Sequence, residues 1–362
     1  MFICGYEAMS FELFLMAQSS RLKKALAIFI ILTQNIPVMN VVALSGGVGG
    51  AKFADGLAQS VGPEALTIIV NTADDFQLYG LRISPDLDTV MYTLAGLANV
   101  DTGWGVSGDT FENFGMLAKY GVQPWFRVGD RDVATHLLRT EMMRLGATLT
   151  EVTQVLAQRL NIAPRILPMS NDVVRTMVDT VEFGILPFQE YFVKHKWQPT
   201  VKKVIFDGIE KANATFETLR ALETADTIIL CPSNPYLSVE PVLGLAGVKD
   251  ALFNAAAPII AVTPIIGGEA VKGPAAKMMR EMGIDPTPLS VAQHYAEFIN
   301  GFVLDERDAE YADAIRALGL GVLVTNTWMQ NRNDRAALTC EVINFADQLR
   351  PEKLGGCRLP QR

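Results

Sequence analysis

"VVALSGGVGGAKFADGL", Val41 to Leu57, is a run of four apolar residues, a serine, a glycine-rich turn, and then a helical stretch from Lys52. A strand that breaks into a glycine loop and restarts as a helix is a common way to hold a phosphate, because the helix N-terminus offers free N–H groups. The same pattern also serves as a tight connection. Gly46, Gly47, Gly49 and Gly50 mark a place where something approaches the backbone closely.

Working outward, short apolar runs ending in turn residues recur at Val41–Leu44, Leu66–Val70, Thr227–Leu230, Ile259–Val262, Phe302–Leu304 and Val322–Val324. Amphipathic helical stretches separate most of them, among them Lys52–Gln59, Val248–Ala255, Ala275–Met282, Asp308–Leu318 and Arg335–Leu349. Fully apolar strands alternating with helices predict an α/β fold, a Rossmann-like parallel sheet with helices on both faces. Ligands of such sheets sit at the carboxyl ends of the strands, near a topological switch point.

From Pro85 the pattern turns helical, with Leu87–Ala98, Thr110–Tyr120, Val133–Leu145 and a helix opened by the capping box "TLTE" from Thr148 to Glu151. An aromatic- and lysine-rich stretch follows to Ala225. We read residues 39–84 and 226–350 as the core, and 85–225 as a large, mainly helical cap inserted between the second and third core strands. Residues 1–38 stand apart. Their "RLKKALAIFIILTQ" superficially resembles a signal sequence, but its apolar run falls short of the ~20 residues that span a bilayer. Met39 as the natural start, or an accessory extension, is the preferred reading.

The 362 residues are 49% hydrophobic and 19% charged, which suits a soluble protein with a large core. With 31 Lys and Arg against 39 Asp and Glu, the net charge of −8 and the lack of basic runs argue against nucleic acid. The four cysteines form no C-x-x-C pair, and the three histidines are scattered. That excludes a disulfide framework or zinc site and fits a reducing cytoplasm.

Four polar segments lie at predicted strand ends or helix starts. The glycine loop carries Ser45 and Lys52. "NTADDFQLYGLRISPDLDTV" places Asp74, Asp75, Asp86 and Asp88 within fifteen residues. Clustered carboxylates repel one another unless a cation sits among them, and hard oxygen ligands suit Mg²⁺. Asp86 is also a good N-cap for the helix that follows. "RVGDRDVATHLLR" surrounds a helix start with Arg127, Asp130, Arg131 and His136, which read equally as a phosphate site or as a structural salt-bridge cluster. "CPSNP" offers Ser233 and Asn234 in a proline-stiffened loop, or merely a turn.

The succession "SGGVGGAKFADGL", "NTADD", "ISPDLDTVMYTL", "GWGVSGDTF", "GDRDVATHLLRT", "ILPMSND", "CPSNP", "VTPIIGG…VKGPAAKMM" and "FVLDERD" resembles the 2-phospho-L-lactate transferase family. The resemblance runs from Asn40 to Leu349. It implies a Rossmann-like core, a need for Mg²⁺, a homodimer and a place in the biosynthesis of coenzyme F420. It also implies transfer of a phospho-hydroxyacid phosphoryl group from a guanosine diphosphate adduct to the deazaflavin Fo, releasing GMP. Whether the acid is 2-phospholactate, phosphoenolpyruvate or 3-phosphoglycerate stays open.

On that resemblance, Gly46, Gly47 and Gly49 bring N–H groups to the diphosphate, with Ser45 and Lys52 beside them, and Ser233 and Asn234 contact the nucleotide. Asp75 and Asp88 are catalytic, and Asp75, Asp86 and Asp88 are the metal candidates. Asp88 and Arg127 are the Fo contacts, so Asp88 is assigned to both metal and Fo. The loop reads S-G-G-V-G-G-A-K where several archaeal relatives read S-G-G-T-G-T-P-K, so no side-chain donor is available at Val48. A rival is a regulator of the same fold that binds nucleotide-sugars or dinucleotides without transfer, but it lacks the G-D-R-D and P-D-L-D blocks. An NAD(P) dehydrogenase fits less well, because the loop is not a clean G-x-G-x-x-G and Asn71 stands where a ribose-binding acid belongs.

Overall fold

A computed structural model of the chain describes residues 39–350. The expectation for residues 1–38 lies outside them. In chain order the strands are β1 Val41–Ser45, β2 Leu66–Val70, β3 Phe76–Leu78, β4 Leu81–Ile83, β5 Arg165–Pro168, β6 Arg175–Thr180, β7 Gly184–Pro187, β8 Val201–Asp207, β9 Thr227–Leu230, β10 Ile259–Val262, β11 Ile265–Ile266, β12 Glu269–Ala270, β13 Gly301–Asp305 and β14 Gly321–Thr325. The helices that matter below are α1 Gly47–Ser60, α2 Pro85–Leu94, α3 Glu112–Lys119, α4 Asp130–Arg144, α5 Leu149–Arg159 and, near the end, α6 Arg332–Gln348.

Seven strands form one parallel sheet in the order β14-β13-β10-β9-β1-β2-β5. β1 shows why the strands are apolar throughout. Val42 and Leu44 pack into one core with Ile228 and Leu230. Val41 and Ala43 point the other way and join Phe53 and Leu57 of α1 and Leu338 and Val342 of α6. Each fully buried Leu or Phe of this kind contributes roughly 1.5–3 kcal/mol, so both faces must be covered, and α1 and α6 pack together over one of them.

The chain from 85 to 225, expected as a helical cap, is helical as far as Arg159 and then returns to the sheet. Arg165–Pro168 pairs in parallel with β2, from Thr67 opposite Arg165 to Val70 opposite Pro168. β6, β7 and β8 follow as a separate antiparallel sheet. The predicted helix Asp308–Leu318 is a 3-10 turn over Glu306–Tyr311 followed by a short α-helix, Ala312–Arg316. Among the described residues no helix is long and apolar enough to cross a membrane.

The strand order reverses at β1, between β2 and β9. Register there aligns Ser45 with Val70, and Leu44 with Leu230. The segments after these three strands (Gly46–Gly50, Asn71–Asp75 and Cys231–Asn234) therefore meet at one end of the sheet.

Candidate functional site

At Gly46 the backbone is extended, and α1 begins at Gly47 with φ +63° and no side-chain cap. What approaches the glycines is mostly the protein itself. A Cβ on Gly46 would lie 2.5 Å from Ser238 Cβ and 2.8 Å from Asp86 Oδ2. One on Gly49 would collide with the carbonyl oxygen of Pro232, and one on Gly50 would meet the hydroxyls of Ser45 and Ser233 at 2.5 and 2.6 Å. Gly47 alone of the four faces open space. Gly46 and Gly49 thus let the loop after β9 close on the loop after β1, while the Cβ side of Gly47 stays open.

Ser233 is spent in that closure: its Oγ donates to Gly46 O at 2.9 Å and accepts from Gly46 N at 3.1 Å. Asn234 accepts from Tyr236 N at 3.0 Å and caps the following turn. Ser45 Oγ is buried and has no hydrogen-bond partner. Lys52 Nζ donates to Met329 O at 3.0 Å. Its pKa is lowered by burial and by the charges of Arg335 and Lys272. Lys272 lies near the start of α1, beside Val48 and Gly103, a cation whose relevance depends on a contact 220 residues distant in sequence.

The acidic segment divides in two. Asn71 donates through Nδ2 to Asp74 Oδ2 at 3.1 Å and to Asp86 Oδ2 at 3.0 Å. Burial raises the Asp74 carboxyl well above the ordinary range, and the Asp86 charge adds to it. Burial likewise brings Asp86 up to about 6, against hydrogen bonds from Asn71 and from the Gly47 backbone. Asp86 is not the N-cap of α2: Ser84 holds that position, Pro85 is the first helical residue, and Asp86 and Asp88 lie in the first turn. There the helix dipole favours negative charge.

On the other side, Asp75 accepts from Ser84 Oγ at 2.6 Å, and its second oxygen is buried without a partner. Burial also raises this carboxyl well above the usual range. Asp88 is gripped by Arg139, with Nη1 donating to Oδ2 at 3.1 Å and Nη2 in close contact with Oδ1. The metal candidates Asp75, Asp86 and Asp88 are therefore not one set. Asp86 shares Asn71 with Asp74, whereas Asp88 has a cation of its own. Two carboxylates share one amide, with Asp74 Oδ1 orphaned and buried, and hard carboxylate oxygens are the ligand type Mg²⁺ takes.

The third segment resolves into a structural part and an exposed part. Asp130 accepts from Glu112 N and Asn113 N at 2.9 and 3.0 Å and caps α3. Asp109 accepts from Arg131 N and Asp132 N at 2.8 and 3.1 Å and caps α4. Arg131 Nη1 reaches Ser107 O at 3.0 Å. His136 is buried, with Nε2 3.3 Å from Asp132 Oδ1 and Nδ1 3.6 Å from Asp88 Oδ2. Arg127 remains exposed, its guanidinium 4.1 Å from the centre of the Phe111 ring. Trp125 and Phe126, which precede it in the chain, cluster with the ring of Phe76 from β3.

Comparison with known proteins adds independent findings. The family model described as 2-phospho-L-lactate transferase CofD matches residues 41–344. A phosphoenolpyruvate transferase of Streptomyces griseus is 38% identical over 317 residues, covering 86% of this chain and 100% of that protein. A 2-phospho-L-lactate transferase of Methanosarcina acetivorans is 38% identical over 307 residues, covering 85% of this chain and 99% of that one. A crystal structure of a UPF0052 family member from Bacillus halodurans superposes with a TM-score of 0.59 at 17% identity, over 85% of this chain and 100% of that one. That likeness concerns the fold alone.

Proposed function

The chain belongs to the 2-phospho-L-lactate transferase family, and we propose that it transfers the phosphoryl group of a three-carbon phospho-hydroxyacid from a guanosine diphosphate adduct to the deazaflavin Fo. A transferase of the 2-phospholactate or phosphoenolpyruvate kind is what its relatives' names support. Fo as acceptor, GMP as leaving group and Mg²⁺ as cofactor are our finer reading.

In this reading the terminal hydroxyl of the Fo side chain attacks the phosphorus on the acid side of the diphosphate. The new P–O bond forms as the bond to the GMP oxygen breaks, and the hydroxyl proton is lost to the surrounding carboxylates or solvent. Such chemistry is governed by positioning and charge rather than by a covalent nucleophile. The open N-terminal turn of α1 at Gly47 receives the diphosphate, with Lys52 and Lys272 supplying positive charge at its side. Asp74 and Asp86, oriented by Asn71, would hold Mg²⁺, which when bound offsets diphosphate charge and stabilises the departing nucleoside phosphate. Ser84 holds Asp75 on the Asp88 side. Asp88 and Arg127 face the acceptor, with the aromatic side chains near Arg127 providing stacking surface for the deazaflavin.

The observation that carries this reading is the meeting of Asn71, Asp74 and Asp86 with the backbone of Gly47 at the switch point of the sheet. It is tested by incubating the protein with Fo, Mg²⁺, GTP, a guanylyltransferase and each three-carbon acid in turn, and identifying products by mass. The expected outcome is an Fo-phosphodiester with one of the acids, together with GMP. Nucleotide binding without any Fo product would favour the regulator of the same fold.

A further inference from the structure

Arg139 is the largest fully buried side chain among the described residues, with 0% exposure. It comes from the middle of α4 and reaches Asp88, 51 residues earlier, with both terminal nitrogens. Nη1 also lies 3.4 Å from Arg82 O and 3.3 Å from His136 Nδ1. A second tier lies behind the pair. His136 Nε2 sits 3.3 Å from Asp132 Oδ1, and the buried Tyr92 hydroxyl donates to the same oxygen at 2.7 Å.

Burying a guanidinium is costly even when it is paired, and an apolar side chain of similar volume is often at least as stable. Its presence beside the acidic pocket therefore calls for a role that needs charge. One ligand atom each from Asp88, Asp132 and His136 lie within 4.8 Å of one another, a spacing that would otherwise suit a divalent ion. The guanidinium occupies that neighbourhood. It also attracts Asp75, the carboxylate on the same side of the pocket.

We propose that Arg139 is a positioning residue, a built-in counter-ion that fixes the Asp88 carboxylate toward the acceptor and stands where a second divalent cation would otherwise bind. The inference rests on the transferase reading for the identity of the acceptor, but not for the placement of charge. It makes the pocket a one-metal site, with a metal at Asp74 and Asp86 and an arginine at Asp88.

The test uses the full-length protein and the variants Arg139→Met, which keeps bulk and removes charge, and Arg139→Lys, which keeps charge and loses the fork. Fo affinity is followed by fluorescence, GDP affinity by calorimetry, and bound Mn²⁺ by electron paramagnetic resonance. Arg139→Met should bind Fo at least tenfold more weakly with GDP affinity within twofold, and should take up one Mn²⁺ more per chain than the wild type. Arg139→Lys should lose about threefold in Fo affinity and gain no Mn²⁺. Unchanged Fo affinity in folded Arg139→Met, equal loss of Fo and GDP, or a Mn²⁺ count at the wild-type level overturns the proposal. If Arg139→Met does not fold, unaltered Fo affinity in Arg139→Lys overturns it. A wild-type protein that ignores Fo defeats the transferase reading instead, and the Mn²⁺ count then decides the role of Arg139.

Discussion

Gly49 of α1 lies against the carbonyl oxygen of Pro232, so close that no side chain fits between the first helix and the loop after β9. Two of the three loops that build the site are locked together at this contact. Gly49→Ala forces them apart, and overpacking of this kind destabilises by about 1–3 kcal/mol. Gly47→Ala meets open space but must adopt φ +63°, a left-handed conformation that costs an L-residue roughly 1–2 kcal/mol. Urea unfolding should show losses for both. Only Gly49→Ala should be relieved by a second change that shifts the Pro232 loop, and wild-type stability in Gly49→Ala would show the contact to be loose.

The reciprocal caps give a second expectation. Asp109 caps α4 while Asp130 caps α3, and Gly129 leaves no room for a Cβ beside the Asp109 carboxylate. Asp109→Ala should cost about 1 kcal/mol, the usual size of a lost N-cap. Asp130→Ala should lower the melting temperature, and the two effects should not add, because the caps share one junction. Arg131→Ala should leave GDP affinity unchanged, and a tenfold loss would restore Arg131 as a phosphate ligand.

How much of this could be read from the sequence follows from how local each signal is. Six strands of the parallel sheet, β1, β2, β9, β10, β13 and β14, were legible because a strand covered on both faces is apolar along its run; the short strands of the small antiparallel sheets carry no such signal. The Thr148–Glu151 capping box was legible because its partners are three residues apart, and both of its bonds are present. β5 was not, because Arg165–Pro168 is short, starts with a charge and ends in proline. The glycine run marked a close approach without revealing that Pro232 and Ser238 are the approaching groups. The acidic cluster was visible, but its division was not: Asn71 and Asp74 against Asp86, and Arg139 against Asp88, are pairings made only when α2 and α4 pack.

Arg127 supplies a third expectation. Its guanidinium stacks over Phe111 on an exposed surface, where a cation–π contact contributes about 0.5–1 kcal/mol. On the proposed reading this guanidinium also contacts the acceptor, so Arg127→Ala should weaken Fo binding several-fold while barely altering GDP affinity. Parallel titrations with the two ligands would decide it. An equal effect on both would place Arg127 in a general structural role.

The pH dependence of stability is set in part by the Asn71–Asp74–Asp86 group, and its sign is the reverse of ordinary acid denaturation. Burial lifts the folded-state pKa of Asp86 from its ordinary 3.8 to about 6, so the folded protein holds this proton more tightly than the unfolded chain does. The contribution to stability is complete below about pH 4 and is lost as pH rises through about 6. Two pKa units correspond to about 3 kcal/mol at most. Asp74 shifts in the same direction, which widens the window upward. Without divalent ions, Asp86→Asn should be more stable than wild type at pH 7.5 and about equal to it at pH 4, because the amide keeps the shape and discards the buried charge. Mg²⁺ competes with the proton for the same oxygens, so its stabilising effect should be larger at pH 7.5 than at pH 5 and should vanish in Asp86→Asn. Thermal unfolding of both proteins at the two pH values, with and without Mg²⁺, separates these terms. A Mg²⁺ shift that survives in Asp86→Asn would move the metal away from Asp74 and Asp86.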